Sequence, residues 1–112
     1  MSAQANLSPL AELVWRSKYR QRDVDGKWDE SIADTWQRVA RALAQVERDA
    51  PKWERCFQDL LEDFRFLPGG RILAGAGTGK AVTLFNCFVM GALDDALPEL
   101  FRSLEEGALT MQ

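Results

Sequence analysis

The stretch Arg65-Phe66-Leu67-Pro68-Gly69-Gly70-Arg71-Ile72-Leu73-Ala74-Gly75-Ala76-Gly77-Thr78, followed at Leu84-Phe85-Asn86-Cys87-Phe88-Val89-Met90-Gly91, separates two kinds of sequence. Pro68, Gly69 and Gly70 oppose continuation of a helix, because proline lacks a donor and paired glycines raise the entropic cost of order. Glycines recur at 75, 77 and 79, and the run 81–90 is then β-branched and aromatic with little charge. That composition suits a strand buried on both faces, as in a parallel sheet. The glycine series itself has two readings. It is either a connecting loop with tight turns or a place where backbone approaches a ligand or another strand closely.

Toward the N-terminus the period changes to that of helices. Trp53, Phe57, Leu60, Leu61 and Phe64 recur at i, i+4, i+7 and i+8, and Pro51 suits the first helical position. Upstream, Ile32, Trp36, Val39, Ala40, Leu43 and Val46 form one stripe, with Ser31 or Asp34 as the cap and Arg38, Arg41, Gln45 and Arg48 on the face expected to meet water. A first helix begins at Ser8-Pro9, carries Leu10, Leu13, Val14 and Ser17, and fades near Tyr19-Arg20. Residues 21–28 are polar, contain Asp25-Gly26 and read as a loop or short hairpin. Toward the C-terminus, Asp94 or Asp95 caps a helix with Leu97, Leu100, Phe101, Leu104 and Ala108 on one side. No stop signal precedes Gln112, so the chain is expected to end inside an element of a larger domain.

Composition narrows the function. The 112 residues include 17 acidic and 14 basic, no histidine and two cysteines, Cys56 and Cys87. A metal centre is not expected from that donor set. Slight net acidity argues against a nucleic-acid partner, which needs clustered Lys and Arg. No apolar run approaches the roughly 18 residues of a membrane helix. The first six residues lack the basic start and apolar core of a leader, so the expected location is cytoplasmic. The four tryptophans read as packing residues. Cys56, alone on a helix, reads as a small buried hydrophobe.

Two motifs fail on inspection. A phosphate loop requires G-x-x-x-x-G-K-[ST], and here Ala74 stands at its first position and Ala81 after Lys80. A dinucleotide fingerprint requires a G-x-G-x-x-G spacing that Gly75, Gly77 and Gly79 do not have. A nucleotide-phosphate site at Lys80 survives only as a minor reading. In a buried strand Asn86 can satisfy neighbouring backbone and Cys87 can be filler.

The blocks quoted above, with Leu100-Phe101 and Glu106-Gly107-Ala108-Leu109-Thr110-Met111-Gln112 in the same order, resemble the N-terminal part of adenosylcobalamin-dependent (class II) ribonucleotide reductases. Val14-Trp15-Arg16-Ser17-Lys18-Tyr19-Arg20 and Asp34-Thr35-Trp36-Gln37-Arg38-Val39-Ala40 are similar to the helical lead-in of that family. The resemblance implies a mainly α chain: a helical N-terminal domain over 1–67, then a glycine-rich turn, first strand and following helix of an α/β barrel over 68–112. It implies that Cys87 is one of two thiols that reduce the ribose, the second lying further along the parental chain, and that Gly70 and Asn86 line the substrate. Two thiols deliver two electrons and close a disulfide that external thiols reopen. Adenosylcobalamin is the implied cofactor of the parental enzyme and a ribonucleotide its substrate, with neither expected to be processed by this chain alone. Its expected partners are the remaining reductase chain or a second copy. The alternative is a non-catalytic helical module that pairs through an exposed strand over 82–90. Cys87 is expected to react slowly, screened by Phe85 and Phe88.

Overall fold

The computed structural model describes residues 6–112; positions 1–5, which carry most of the leader reading, lie outside the described residues. The order is α1 (Pro9–Val14) running into a π-helical turn (Trp15–Tyr19), α2 (Ile32–Ala44), α3 (Ala50–Leu61) closed by a 3-10 turn (Glu62–Phe64), α4 (Gly70–Gly75) and α5 (Leu97–Met111). The chain is mainly α as expected.

Local chemistry sets the helix starts. Ser8 accepts from the Ala11 amide at the head of α1. Ser31 caps α2, and the Asp34 carboxylate reaches back to the Glu30 and Ser31 amides at 2.9 Å each. Asp49 caps α3, with Pro51 in its first turn. Such caps satisfy amides that have no partner inside the helix, and each contributes about 1 kcal/mol.

The core lies where α2, α3 and α4 meet, built from Trp36, Val39, Ala40, Leu61, Leu73 and Ala76. Val39 has no exposed surface. At about 1.5–3 kcal/mol for each fully buried large apolar side chain, this cluster is the main source of stability. The sequence stripe on α2 is correct at Trp36, Val39 and Ala40. It overshoots at Val46, which lies beyond the helix end and is exposed.

Several expectations are corrected. The stripe on α1 points outward: Leu10 and Leu13 are exposed, and the buried residue is Trp15. A bond from the Arg20 amide to the Trp15 carbonyl widens the helix by one residue there, turning Trp15 and Tyr19 toward the bundle. Of the four tryptophans only Trp15 and Trp36 are buried. Trp53 lies open beside Phe57, and Trp28 stacks beneath the guanidinium groups of Arg20 and Arg22, 5.2 and 4.8 Å from the ring centre. Residues 70–75 form a helix where a turn was expected. Gly69 caps α4, and its short length lets Leu73 reach the core before Gly77 turns the chain at φ +72°. The α5 cap is Ala96 rather than Asp94 or Asp95.

The largest correction concerns 81–90. It is not a strand, and among the described residues there is no sheet, only an isolated antiparallel bridge between Arg22 and Trp28. A strand exists through backbone bonds to a neighbour, and no second extended segment lies alongside this one. Residues 81–112 therefore form an arm with irregular backbone and then α5, whose Leu97, Phe101, Leu104 and Leu109 are exposed. The radius of gyration is 18.1 Å, against roughly 13 Å for a compact domain of this length.

At the end of α3 the chain takes two left-handed residues in succession, Asp63 (φ 54°) and Phe64 (φ 56°). Phe64 is held there by an edge-to-face contact with Trp36, ring centres 5.3 Å apart. Asp63 has only a long ion pair with Arg65, 3.9 Å. Left-handed backbone strains a residue with a Cβ, so Asp63→Gly is expected to stabilise the chain by about 0.5–1 kcal/mol after the flexibility that glycine adds to the unfolded state. A urea midpoint shifted upward with unchanged slope is the expected result.

Candidate functional site

The most densely bonded place in the molecule is a charge that the helical pattern assigned to water. Arg38 is 6 % exposed. Its guanidinium faces Asp29, Nη2 to Oδ2 2.9 Å, and both side chains are 4 % exposed. Nη2 also donates to the Leu73 carbonyl at 2.9 Å and the Tyr19 carbonyl at 3.2 Å, while Nη1 donates to the Ala76 carbonyl. Asp29 Oδ2 in turn accepts from the Thr35 hydroxyl at 2.8 Å, and that hydroxyl accepts from the Trp15 indole at 2.9 Å. Every buried polar side-chain atom among the described residues has a partner. The arrangement ties the π-helical turn, the 21–29 loop, α2 and the end of α4 to one planar cation. Only arginine has enough donors in a fork to serve them together.

The glycines find their reason here. A Cβ on Gly77 would lie 2.9 Å from both Cγ and the carbonyl oxygen of Arg38, and one on Gly75 would lie 3.1 Å from Val82 and Leu84. One on Gly70 would lie 3.1 Å from the Tyr19 hydroxyl. Within this chain the close backbone approaches are to its own side chains. Of the two readings of the series, the connecting segment with tight turns is the one these contacts support.

The residues singled out for chemistry lie along one path away from this hub. Gly70 is the first residue of α4. Asn86 and Cys87 lie on the irregular arm, both exposed, and Gly70 packs against Tyr19 rather than against either of them. Exposure of Cys87 corrects the expectation that Phe85 and Phe88 screen it. Those rings are themselves exposed, because no sheet forms to turn them inward. Both thiols are free, Cys56 half-buried and Cys87 exposed. A limiting amount of a thiol reagent on the folded chain is therefore expected to modify Cys87 before Cys56, which peptide mapping would read directly. Lys80, the residue of the minor phosphate reading, donates to the Gln21 side-chain oxygen at 2.8 Å, which takes one of the three donors of its ammonium. Among the described residues no group of three carboxylate or thiol side chains is placed to hold a metal.

A cleft of about 520 Å³ opens between the 23–28 turn and α2, with Trp28, Lys27, Gln37, Arg41 and Gly77 among its walls. Several of its charged groups have partners inside the chain: Arg41 pairs with Glu54 at 3.3 Å, and Asp23 accepts from the Asp25 and Lys27 amides.

Residues 5–81 match the family described as "Ribonucleotide reductase, all-alpha domain", which spans α1 to α4 and the turn beyond, and the chain belongs to that family. More particularly, it is 31% identical over 110 residues to a vitamin B12-dependent ribonucleoside-diphosphate reductase of Mycobacterium tuberculosis (strain CDC 1551 / Oshkosh), an alignment covering 94% of this chain and 16% of the relative. It is also 34% identical over 86 residues to a putative adenosylcobalamin-dependent ribonucleoside-triphosphate reductase of Mycobacterium phage D29, covering 74% of this chain and 12% of the relative. The chain thus spans about a sixth or less of the length of these relatives. No solved structure matches it significantly.

Sequence reading missed Arg38, Asp29 and Thr35. The available signal was positional: Thr35 and Arg38 are one turn apart, directly beside the apolar stripe of Trp36, Val39 and Ala40.

Proposed function

We infer that this chain is the N-terminal helical part of a cobalamin-dependent ribonucleotide reductase together with the segment that carries one thiol of its reducing pair. The observation that carries this is the alignment through 94% of the chain with a vitamin B12-dependent ribonucleoside-diphosphate reductase, extending past the helical domain into the arm. In this reading Cys87 gives up electrons to the ribose and forms a disulfide with a second thiol on the parental chain, Asn86 and Gly70 lie beside the substrate, and an external dithiol resets the pair. The two relatives are named for diphosphate and triphosphate substrates respectively, so the substrate class is a ribonucleotide of either kind. A cytoplasmic location accords with that substrate, and no described helix is long and apolar enough to cross a membrane.

Adenosylcobalamin, which the phage relative's name carries where the Mycobacterium tuberculosis relative is named for vitamin B12, does not fit the residues described here. The cleft beside Trp28 has the volume of a small-ligand site. Its walls combine Trp28 with charged side chains, of which Arg38, Arg41, Asp23 and Asp34 are already bonded within the chain, whereas a corrin needs a broad flat face. The cofactor belongs to the remainder of the enzyme. The test is a chimera in which this chain replaces the aligned part of the Mycobacterium tuberculosis reductase; retention of cobalamin-dependent ribonucleotide reduction is the expected result, and a well-folded but inactive chimera would count against the reading.

A second reading rests on a different observation. Val82, Phe85, Phe88 and Val89 are exposed, Val89 at 98 %, and α5 adds a further apolar row. Exposed apolar segments with free backbone groups pair with other chains, so a non-catalytic module that assembles through its arm is the competing function. Light scattering over a concentration series separates the two: concentration-dependent dimers are expected from arm pairing, and a monomer throughout removes it.

A further inference from the structure

We propose that Arg38 is a positioning residue for Cys87, acting through the end of α4 and the turn at Gly77. The inference rests on the reductase reading of Cys87, but its geometry stands apart from that reading.

A six-residue helix ends with carbonyls that have no partner inside it, and α4 is such a helix. Arg38 reaches from α2 to supply donors to two of them, Leu73 and Ala76. The cation thereby caps a helix on another element, at the end where the dipole favours positive charge. Immediately beyond, Gly77 takes φ +72° with its α-carbon so close to Arg38 that no side chain fits. Arg38 therefore fixes both the last turn of α4 and the direction in which the backbone leaves it.

The direction is kept for several more residues. The Thr78 hydroxyl donates to the Gly75 carbonyl at 2.8 Å, and Lys80 is tied to Gln21. Val82 and Leu84 then fold back onto Gly75, and Leu84 packs against the core. From Leu84 to Cys87 there are three residues, at most about 10 Å of chain. Beyond Leu84 the arm has no comparable anchor among the described residues, so the place from which Cys87 departs is decided at Arg38 and Gly77. Asp29 completes the device, because its carboxylate holds the guanidinium plane that the carbonyls read.

The test is a distance measurement on the whole chain. Spin labels are placed at Cys87 and at Arg55→Cys on α3, in a Cys56→Ala background, and the distance distribution is read by pulsed electron resonance. A single narrow population is expected in this background. Arg38→Lys, which keeps the charge and loses the fork, and Gly77→Ala, which pushes on Arg38 from the other side, are each expected to broaden the distribution at least twofold while helix content by circular dichroism holds. A narrow distribution unchanged in either folded variant overturns the proposal. So does a broad distribution before any change at Arg38 or Gly77, an outcome that does not depend on how the variants fold. Because no nucleotide chemistry enters the readout, a narrow distance here together with full turnover of a chimera lacking the Cys87 thiol would sink the reductase reading and leave the positioning intact.

Discussion

Asp29→Ala is expected to destabilise the helical body by about 3–5 kcal/mol, the usual cost of removing one partner of a buried ion pair. The change leaves the Arg38 guanidinium 4 % exposed and without its counter-charge, and it takes an acceptor from the Thr35 hydroxyl and the Gln21 amide. Small domains are stable by only about 5–15 kcal/mol in total, so the variant should approach unfolding at physiological temperature. The sign of a second variant identifies the cause. If the loss reflects an uncompensated charge, Asp29→Leu combined with Arg38→Met recovers part of it, because apolar replacement of a whole buried pair is often neutral or better. Recovery is expected to be incomplete, since the Leu73, Ala76 and Tyr19 carbonyls lose their donor. Urea unfolding followed by circular dichroism gives the three values. A single variant within about 1 kcal/mol of the parent, inside the range typical of an exposed pair, would show that the pair is solvated.

Cys87→Ser in the chimeric reductase is expected to lower turnover roughly 1,000-fold or more, on the scale seen when a reacting group is removed from an intact site. Serine matches the size of cysteine but cannot form the disulfide through which two electrons pass. Cys56→Ser is expected to stay within about twofold of the parent, because that thiol lies half-buried on α3, on the helical body rather than the arm. Steady-state assays with an external dithiol read both. Activity above a tenth of the parent in the Cys87 variant would remove the residue from the redox pair.

The helices were legible because their information is local. Ser31 with Asp34, Pro51 at the head of α3, and the stripe from Trp36 to Ala40 each lie within a few residues, where spacing and capping act directly. Arg38 was misplaced for the opposite reason. Its acceptors lie up to 38 residues away, and a period of 3.6 shows which residues share a face without showing what covers it. The run 81–90 has a strand's composition, yet composition supplies no partner, and the arm remains irregular where no neighbour lies beside it. Gly70 and Asn86 came from family resemblance, and the contacts within this chain tie Gly70 to Tyr19. Cys87 came from the same resemblance, and what the fold adds is its place on the arm as an exposed, free thiol.

The reach of Arg38 also bears on how such a chain emerges from a ribosome. Residues 9–61 contain three of the helices but not the carbonyls of Leu73 and Ala76 that complete the guanidinium's coordination. Until those residues are free, a nascent chain holds a cation and a carboxylate that favour water over burial, and the apolar faces of α2 and α3 lack Leu73 and Ala76 against them. Closure of the helical body is thus timed to the synthesis of its last short helix. The arm that carries Cys87 follows onto a base that has only just become rigid.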